Sequence, residues 1–459
     1  MSERHPFLDT CDAEPTYQFD GRFVVNERVS PLCNVKLWLP IDCHDDAVIQ
    51  VVAQDFERSP SKTSINIESS SSRLVSEIRL ESGFKIEAEN LHIRSQKTKH
   101  GLKLNNTTVT IDHISCLRLR RETPSSAEKS KNSLNRCNTI LFRLSDLKYG
   151  QPFSAPITSH LGNRKVKIFD TRILPMHTSS RVIHLELQKH WEWRDAKFGR
   201  LIASSTPTLV ISDSKKFNWD SLEEVQKIGR DACLLLTLAA RHLTVMHVMV
   251  AATDRQHQEE WFSPLKRQRS TTEEEANGPL VDASELESYF SIVSERWLSL
   301  TEQQKDSVRL AVYSVNPFQK SSLEGNFLRM FSALDGLAKT WFPHLQKICK
   351  KIPALLDKFP TRYVGLWPLT NSKKDGLDAI RNLIAHGKVI RGEQMEALIV
   401  GSDHLQVWIE RILLSILGFI PENPPNDWLT RHVTQQVDDL HRLRAAIRSA
   451  STDASSSVQ

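Results

Sequence analysis

Three residues in the segment DGLDAIRNLIAHGK have types suited to acting together on a phosphodiester: Arg381, Asn382 and His386. In RNA cleavage the ribose 2′-hydroxyl attacks its own phosphorus, a histidine can shuttle the proton, and a guanidinium can neutralise developing phosphoryl charge. That reaction needs no metal. The segment reads as a helix from Asp375 to His386, with Gly387 as its left-handed cap. On a helix of 3.6 residues per turn, positions four apart lie about 40 degrees from each other and positions five apart about 140 degrees. Asn382 therefore shares a face with His386. Arg381 must reach the same place with its long stem, and a second copy across a dimer interface would help it. The negative end of the helix dipole favours a charged imidazole at His386, which suits acid–base work.

Spacing alone does not single out this pair. Arg94 with His100, Arg172 with His177, and Arg241 with His247 stand at comparable separations. The first two fall in strand-like or loop sequence, and the third straddles a helix end and the strand after it. Only Arg381 and His386 share one helix. Each residue also has a plainer use: Arg381 can pair with Asp378 or Asp375, His386 can cap the helix C-terminus, and Asn382 can bond backbone groups.

The elements that must position these residues fall in the second half of the chain. From Ser284 onward the pattern is helical: Leu286, Tyr289, Val293, Trp297 and Leu300 form one apolar stripe, and Leu323, Phe327, Phe331, Leu334, Leu337, Ala338 and Trp341 a second. The Asp375–His386 helix follows, then one over roughly 402–417 stopped by Gly418 and Pro421, and a last over 428–448. The first half instead alternates in twos. Strands are expected at 22–25, 47–52, 74–80, 84–88, 91–93, 166–168, 182–187 and 209–211, and at 102–104 and 109–111 on either side of an Asn105-Asn106 turn. Polar tracts at 59–72 and 123–135 read as surface loops. A five-turn helix begins near Trp219, a strand covers 243–250, and 254–278 is expected to be a charged, mobile loop.

The fold class expected is α+β, a β-rich N-terminal domain of antiparallel sheets followed by an all-α helical bundle. The divisions are 1–218 (a β-rich sensor or regulatory domain), 219–283 (a connecting helix, strand and charged loop packed with it), 284–448 (the helical domain) and 449–459 (a disordered tail).

At 459 residues the chain exceeds one ordinary core. Its 39% apolar and 25% charged residues suit packed globular domains. A net charge of +5, from 60 basic and 55 acidic residues, leaves any nucleic-acid reading to local patches. Seven scattered cysteines lack zinc-ribbon spacing, so reduced thiols and no metal are expected; Cys33, Cys43 and His44 are read as a chance cluster. Only 16 glycines are present, with no phosphate loop, dinucleotide fingerprint or nucleophile elbow, and kinase, hydrolase and dehydrogenase readings fall away. No cofactor is implied. MSERHPFLDT lacks the apolar core of a secretory signal. The apolar run 232–252 carries Arg241, His242 and His247 near its middle, and an arginine there costs about 2.5–3.5 kcal/mol. It reads as a buried helix and strand, and a cytoplasmic location is expected.

RNLIAHG resembles the signature of HEPN ribonucleases: an arginine, a polar residue, a short gap and a histidine on one helix. The preceding helix, SLEGNFLRMFSALDGLAKTW, resembles the second helix of the ApeA-like anti-phage members of that family, with Glu324 and Asp335 in the acidic places. Asp335 departs from the commoner glutamate. The layout of the first half is similar to the domain that accompanies these modules. The resemblance covers 284–420, and within it RNLIAHG is the diagnostic part.

It implies a metal-independent endoribonuclease acting in anti-phage defence or abortive infection, controlled by the N-terminal domain. Arg381, His386 and Asn382 would be catalytic and Glu324 and Asp335 supporting. The partners implied are RNA, with transfer RNA one candidate, a second copy of the chain and a phage-derived trigger. Lys350, Lys351, Lys373, Lys374, Lys388 and Arg391 either form a phosphate-binding rim or are solvated helix ends. Glu324 and Asp335 either orient Arg381 or face solvent. Trp191 and Trp193 either stack bases or pack within a sheet. The alternative function is a non-catalytic HEPN module that binds RNA or a protein partner.

Overall fold

The structure is a computed structural model that describes residues 17–25, 28–29, 33–38, 48–53, 76–80, 84–89, 92–100, 105–112, 116–122, 139–144, 157–161, 164–196, 200–211, 222–252, 256–262, 278–316, 321–361, 365–420 and 437–456. Side chains are described chiefly within 140–144, 172–188, 207–211, 223–250, 278–316, 321–361, 365–420 and 440–450.

The strands are β1 (Tyr17–Val25), β2 (Arg28–Val29), β3 (Cys33–Trp38), β4 (Val48–Ala53), β5 (Ser76–Leu80), β6 (Phe84–Glu89), β7 (His92–His100) and β8 (Asn105–Asp112). They continue with β9 (Cys116–Glu122), β10 (Thr139–Leu144), β11 (Ile157–Leu161), β12 (Arg164–His177), β13 (Val182–Ala196), β14 (Arg200–Ile211), β15 (Met246–Ala252) and β16 (Gln256–Phe262). The helices are α1 (Leu222–Ala240), α2 (Leu286–Ser299), α3 (Glu302–Val315), α4 (Leu323–Trp341), α5 (Ile348–Lys358), α6 (Leu377–Ala385), α7 (Glu393–Ile416) and α8 (Val437–Ser456). The architecture is thus α+β, a β region ahead of a largely helical one. The strands pair antiparallel, in the order β11-β12-β13-β14-β10-β15-β16-β9-β6-β5-β1-β3-β4-β8-β7, with β2 on β1.

The five strands β12-β13-β14-β10-β15 carry the helices. Ile140, Phe142 and Leu144 on β10, and Ile183, Leu185 and Leu187 on β13, are buried in alternation, as a pleated strand with one core face requires. α1 lies close on this sheet. A Cβ added to Gly229 would stand 2.8 Å from the Met246 sulfur and 2.9 Å from the Phe142 ring, a gap that only glycine leaves open. α2 packs on β12, where Arg172 donates to the Ala283 carbonyl at 2.8 Å and the His177 N–H donates to Ser294 Oγ at 3.0 Å. Tyr289 Oη donates to the Leu235 carbonyl of α1 at 3.0 Å. The hydrophobic cluster that begins at Ile140 continues without interruption to Ile447, across both the 218/219 and 283/284 divisions.

Among the helices α4 is central. It touches α3, α5, α6 and α7, and its Phe327, Met330, Phe331, Ala333, Leu334, Leu337 and Ala338 are buried. The stripe on α2 is buried at each of the five expected positions.

Other expectations change. The segment assigned to a charged loop contains β16, paired with β15 and β9. Asn105 and Asn106 are not a turn: they begin β8, opposite His100 and Lys99. β10, absent from the expected strands, is a buried member of the sheet. α7 starts at Glu393, well before 402, and α8 continues to Ser456 through part of the tail expected to be disordered. α3 carries a signature that sequence reading passed over, a capping box in which Thr301 and Gln304 each accept the other's backbone N–H. Among the described residues no helix is long and apolar enough to cross a membrane.

Candidate functional site

α6 is seated by an apolar stripe of Leu377, Ala379, Ile380 and Leu383, each buried. Its close approach to α7 depends on Gly401. A Cβ there would stand 2.9 Å from Ile380 Cδ1 and 3.2 Å from Leu377 Cδ2, with the Phe327 ring of α4 at 3.7 Å. With that face turned to the core, Arg381 is half-buried and Asn382 and His386 are exposed.

The helix ends in a Schellman motif. The Lys388 N–H donates to the Leu383 carbonyl at 3.0 Å and the Gly387 N–H to the Ile384 carbonyl at 2.9 Å, with Gly387 at φ +68°. Backbone groups therefore supply the cap, and the His386 side chain is not used for it. Among the described residues the imidazole forms no hydrogen bond or ion pair. Arg381 Nη1 donates to Asn382 Oδ1 at 3.0 Å, and among the described residues Arg381 forms no ion pair. Both candidate carboxylates are placed elsewhere. Asp375 precedes the Gly376 N-cap and binds Arg444, Arg448 and Asn371. Asp378, in the first turn, lies against Gly376 with its Oδ1 buried and without a hydrogen bond.

Two of the three competing arginine–histidine pairs differ sharply from this one. Arg94 and His100 lie on β7, outside the described side chains. Arg172 is tied to Ala283. Arg241, at the end of α1, is buried against Glu410 of α7, with a 2.7 Å contact and both side chains 1% exposed.

The supporting acids do not meet Arg381. Glu324 is half-buried in the first turn of α4. Asp335 contacts the buried Lys351 of α5 at 2.5 Å, a structural pair that also removes Lys351 from the phosphate-binding rim. Lys350, Lys373, Lys374, Lys388 and Arg391 are exposed, as a rim requires. Trp191 and Trp193 lie two apart on β13 and so share a sheet face; their side chains, like Cys43 and His44, lie outside the described residues. Among the described residues no three His, Cys, Asp or Glu side chains gather to hold a metal ion.

Sequence reading missed a constellation before α6. The Asp375 carboxylate is fully buried, accepting from Asn371 Nδ2 and from Arg444 and Arg448 of α8. Its carbonyl accepts from Trp367 Nε1 at 2.8 Å. Burial alone would raise this carboxyl, but the Asn371, Arg448 and Arg444 hydrogen bonds outweigh it and hold the pKa at about 2. Burial does prevail at two other carboxyls. Asp378 is pushed up to about 6, with the charge of Asp375 adding to the effect of burial, and Asp403 on α7 is pushed up to about 7. The arginine repeat in RLRAAIR, four residues apart on one helix face, was the available signal.

Comparison with protein-family models, with curated proteins and with solved structures finds no match.

Proposed function

We propose that this chain is an endoribonuclease of the HEPN kind, cleaving RNA through attack of the 2′-hydroxyl on the adjacent phosphorus, and that it acts in anti-phage defence under control of its β-rich half. Arg381 neutralises charge on the phosphoryl oxygens, His386 moves the proton, and Asn382 holds the guanidinium. A homodimer completes the cleft by bringing a second RNLIAHG helix to the same phosphate, which relieves the angular separation of Arg381 from His386.

One observation carries the reading. Of the arginine–histidine pairs whose side chains are described, this is the one in which the arginine meets only its chain neighbour, Asn382, and the imidazole meets nothing among the described residues, since the cap is made by backbone, Asp375 is held by α8, and Asp378 lies over Gly376. A polar side chain that the fold does not use, presented beside exposed Lys388 and Arg391, is available to a ligand.

The test is RNA cleavage and phage plating with Arg381→Ala and His386→Ala. Loss of both activities, with products of the parent ending in a 2′,3′-cyclic phosphate, is expected. RNA bound but left intact by the activated parent, with both substitutions harmless, would establish a non-catalytic binding module instead.

A further inference from the structure

Asp375 does more than fasten a loop. It is one negative charge shared between two arginines, and it follows directly on Lys373 and Lys374, both exposed. Lys373, Lys374, Arg444 and Arg448 bring four positive charges to this end, against the carboxylates of Asp375 and Asp378. Arg448 remains 49% exposed and Arg444 23%, so neither guanidinium is enclosed by the carboxylate that holds it. Lys374 takes φ +55°, a left-handed conformation that costs a lysine about 1–2 kcal/mol and is sustained by the tightly bonded Asp375 after it.

The start of α6 does not itself supply an anion site. The Leu377 N–H donates to the Pro368 carbonyl at 2.9 Å and the Asp378 N–H to the Leu369 carbonyl at 3.0 Å, so the first amides are already satisfied. Positive character at this end comes from side chains. Two of these cations, Arg444 and Arg448, are held together by the buried Asp375 carboxylate, and the exposed Lys373 and Lys374 directly precede it in the chain.

We propose that Arg444, Arg448, Lys373 and Lys374 form a phosphate-binding site for the RNA backbone at the entry of α6, with Asp375 as the residue that holds the two arginines in place. The site rests on the ribonuclease reading of α6 and extends it. Lys388 and Arg391 stand beyond the other end of the same helix, which spans about 12–14 Å at 1.5 Å per residue. A single strand passing Arg381 is therefore gripped on both sides of the bond to be cut, over a few nucleotides. Guanidiniums suit phosphate because their forked donors can take two oxygens at once.

The experiment uses the full chain carrying His386→Ala, so that RNA survives, and a fluorescein-labelled single-stranded RNA titrated at several salt concentrations. Lys373→Gln with Lys374→Gln leaves the Asp375 contacts intact, and is expected to weaken binding by roughly three- to tenfold and to flatten the salt dependence by about 0.7 for each phosphate no longer neutralised. Arg448→Gln should do the same, whereas Arg448→Lys, which keeps the charge, should retain the salt slope. An unchanged affinity and slope in the lysine pair, or equal behaviour of Arg448→Gln and Arg448→Lys, overturns the site. Cleavage by the parent chain is measured separately. Cleavage with no effect of these substitutions on binding removes this site and leaves the ribonuclease, while binding that responds to them without any cleavage removes the ribonuclease and leaves the site.

Discussion

The ends of α1 and α6 carry nearly the same residues and use them in opposite ways. Arg241 and His247 follow the long helix laid on the sheet, and Arg381 and His386 close the short helix laid on α7. At α1 the guanidinium is buried with Glu410, which also accepts from Gln406 Nε2 at 2.9 Å. At α6 the guanidinium meets only an amide side chain, and the imidazole meets nothing among the described residues. Residue type and spacing therefore do not make a site; what separates the two ends is whether packing has consumed the hydrogen-bonding capacity of the side chain.

This contrast can be broken most directly by removing each arginine. Arg381→Ala and His386→Ala should each reduce RNA cleavage by at least about 100-fold while moving stability by less than about 0.5 kcal/mol, measured by single-turnover cleavage and denaturant unfolding. Arg241→Ala should do the reverse, leaving Glu410 as an uncompensated buried charge at a cost of about 3–5 kcal/mol and lowering the unfolding midpoint. Stability loss on Arg381→Ala comparable to that on Arg241→Ala would erase the distinction.

Asp403 sharpens it in pH. Its carboxyl is raised from 3.8 to about 7 by burial on α7, so the folded state holds a proton that the unfolded state has released. The stability this provides is complete below pH 3.8 and lost as pH rises through about 7. Asp403→Asn should flatten that fall, worth roughly 2–4 kcal/mol, in thermal melts across the range. Asp375 has the opposite sign, since its stabilising contribution is present above 3.8 and lost as pH falls toward about 2. The smallest effect is expected at the cap. Gly387→Ala should cost about 1–2 kcal/mol through its φ of +68°, and Gly387→Asn less, with His386 shifted enough to slow cleavage in both.

Where the fold was legible, packing and local pattern agreed. The α2 and α4 stripes are apolar at every third or fourth position, and the structure buries them, except that Leu323 and Trp341 at the two ends of α4 are only partly covered. β16, with sequence QHQEEWF, failed that reading because it shows no apolar–polar alternation, and the strand it pairs with, β9, lies far away in sequence. Among the candidate residues, the helix end that carries Arg381, Asn382 and His386 followed from a local period and a glycine. Asp375 did not, because its partners lie about seventy residues later and nothing local distinguishes a helix residue from one standing just before the N-cap. Asp335 was misplaced for the same reason, its lysine being on the next helix.

The buried Arg241–Glu410 pair also has a mechanical side. α7 is a stiff rod, braced at Glu410 against the end of α1 and at Gly401 against α6. The two braces stand about 13–14 Å apart along its axis. Neither can slide easily, since one is a desolvated ion pair and the other a contact with no room for a methyl group. α1 and α6 are therefore both seated on one helix, through contacts that leave little play at either point.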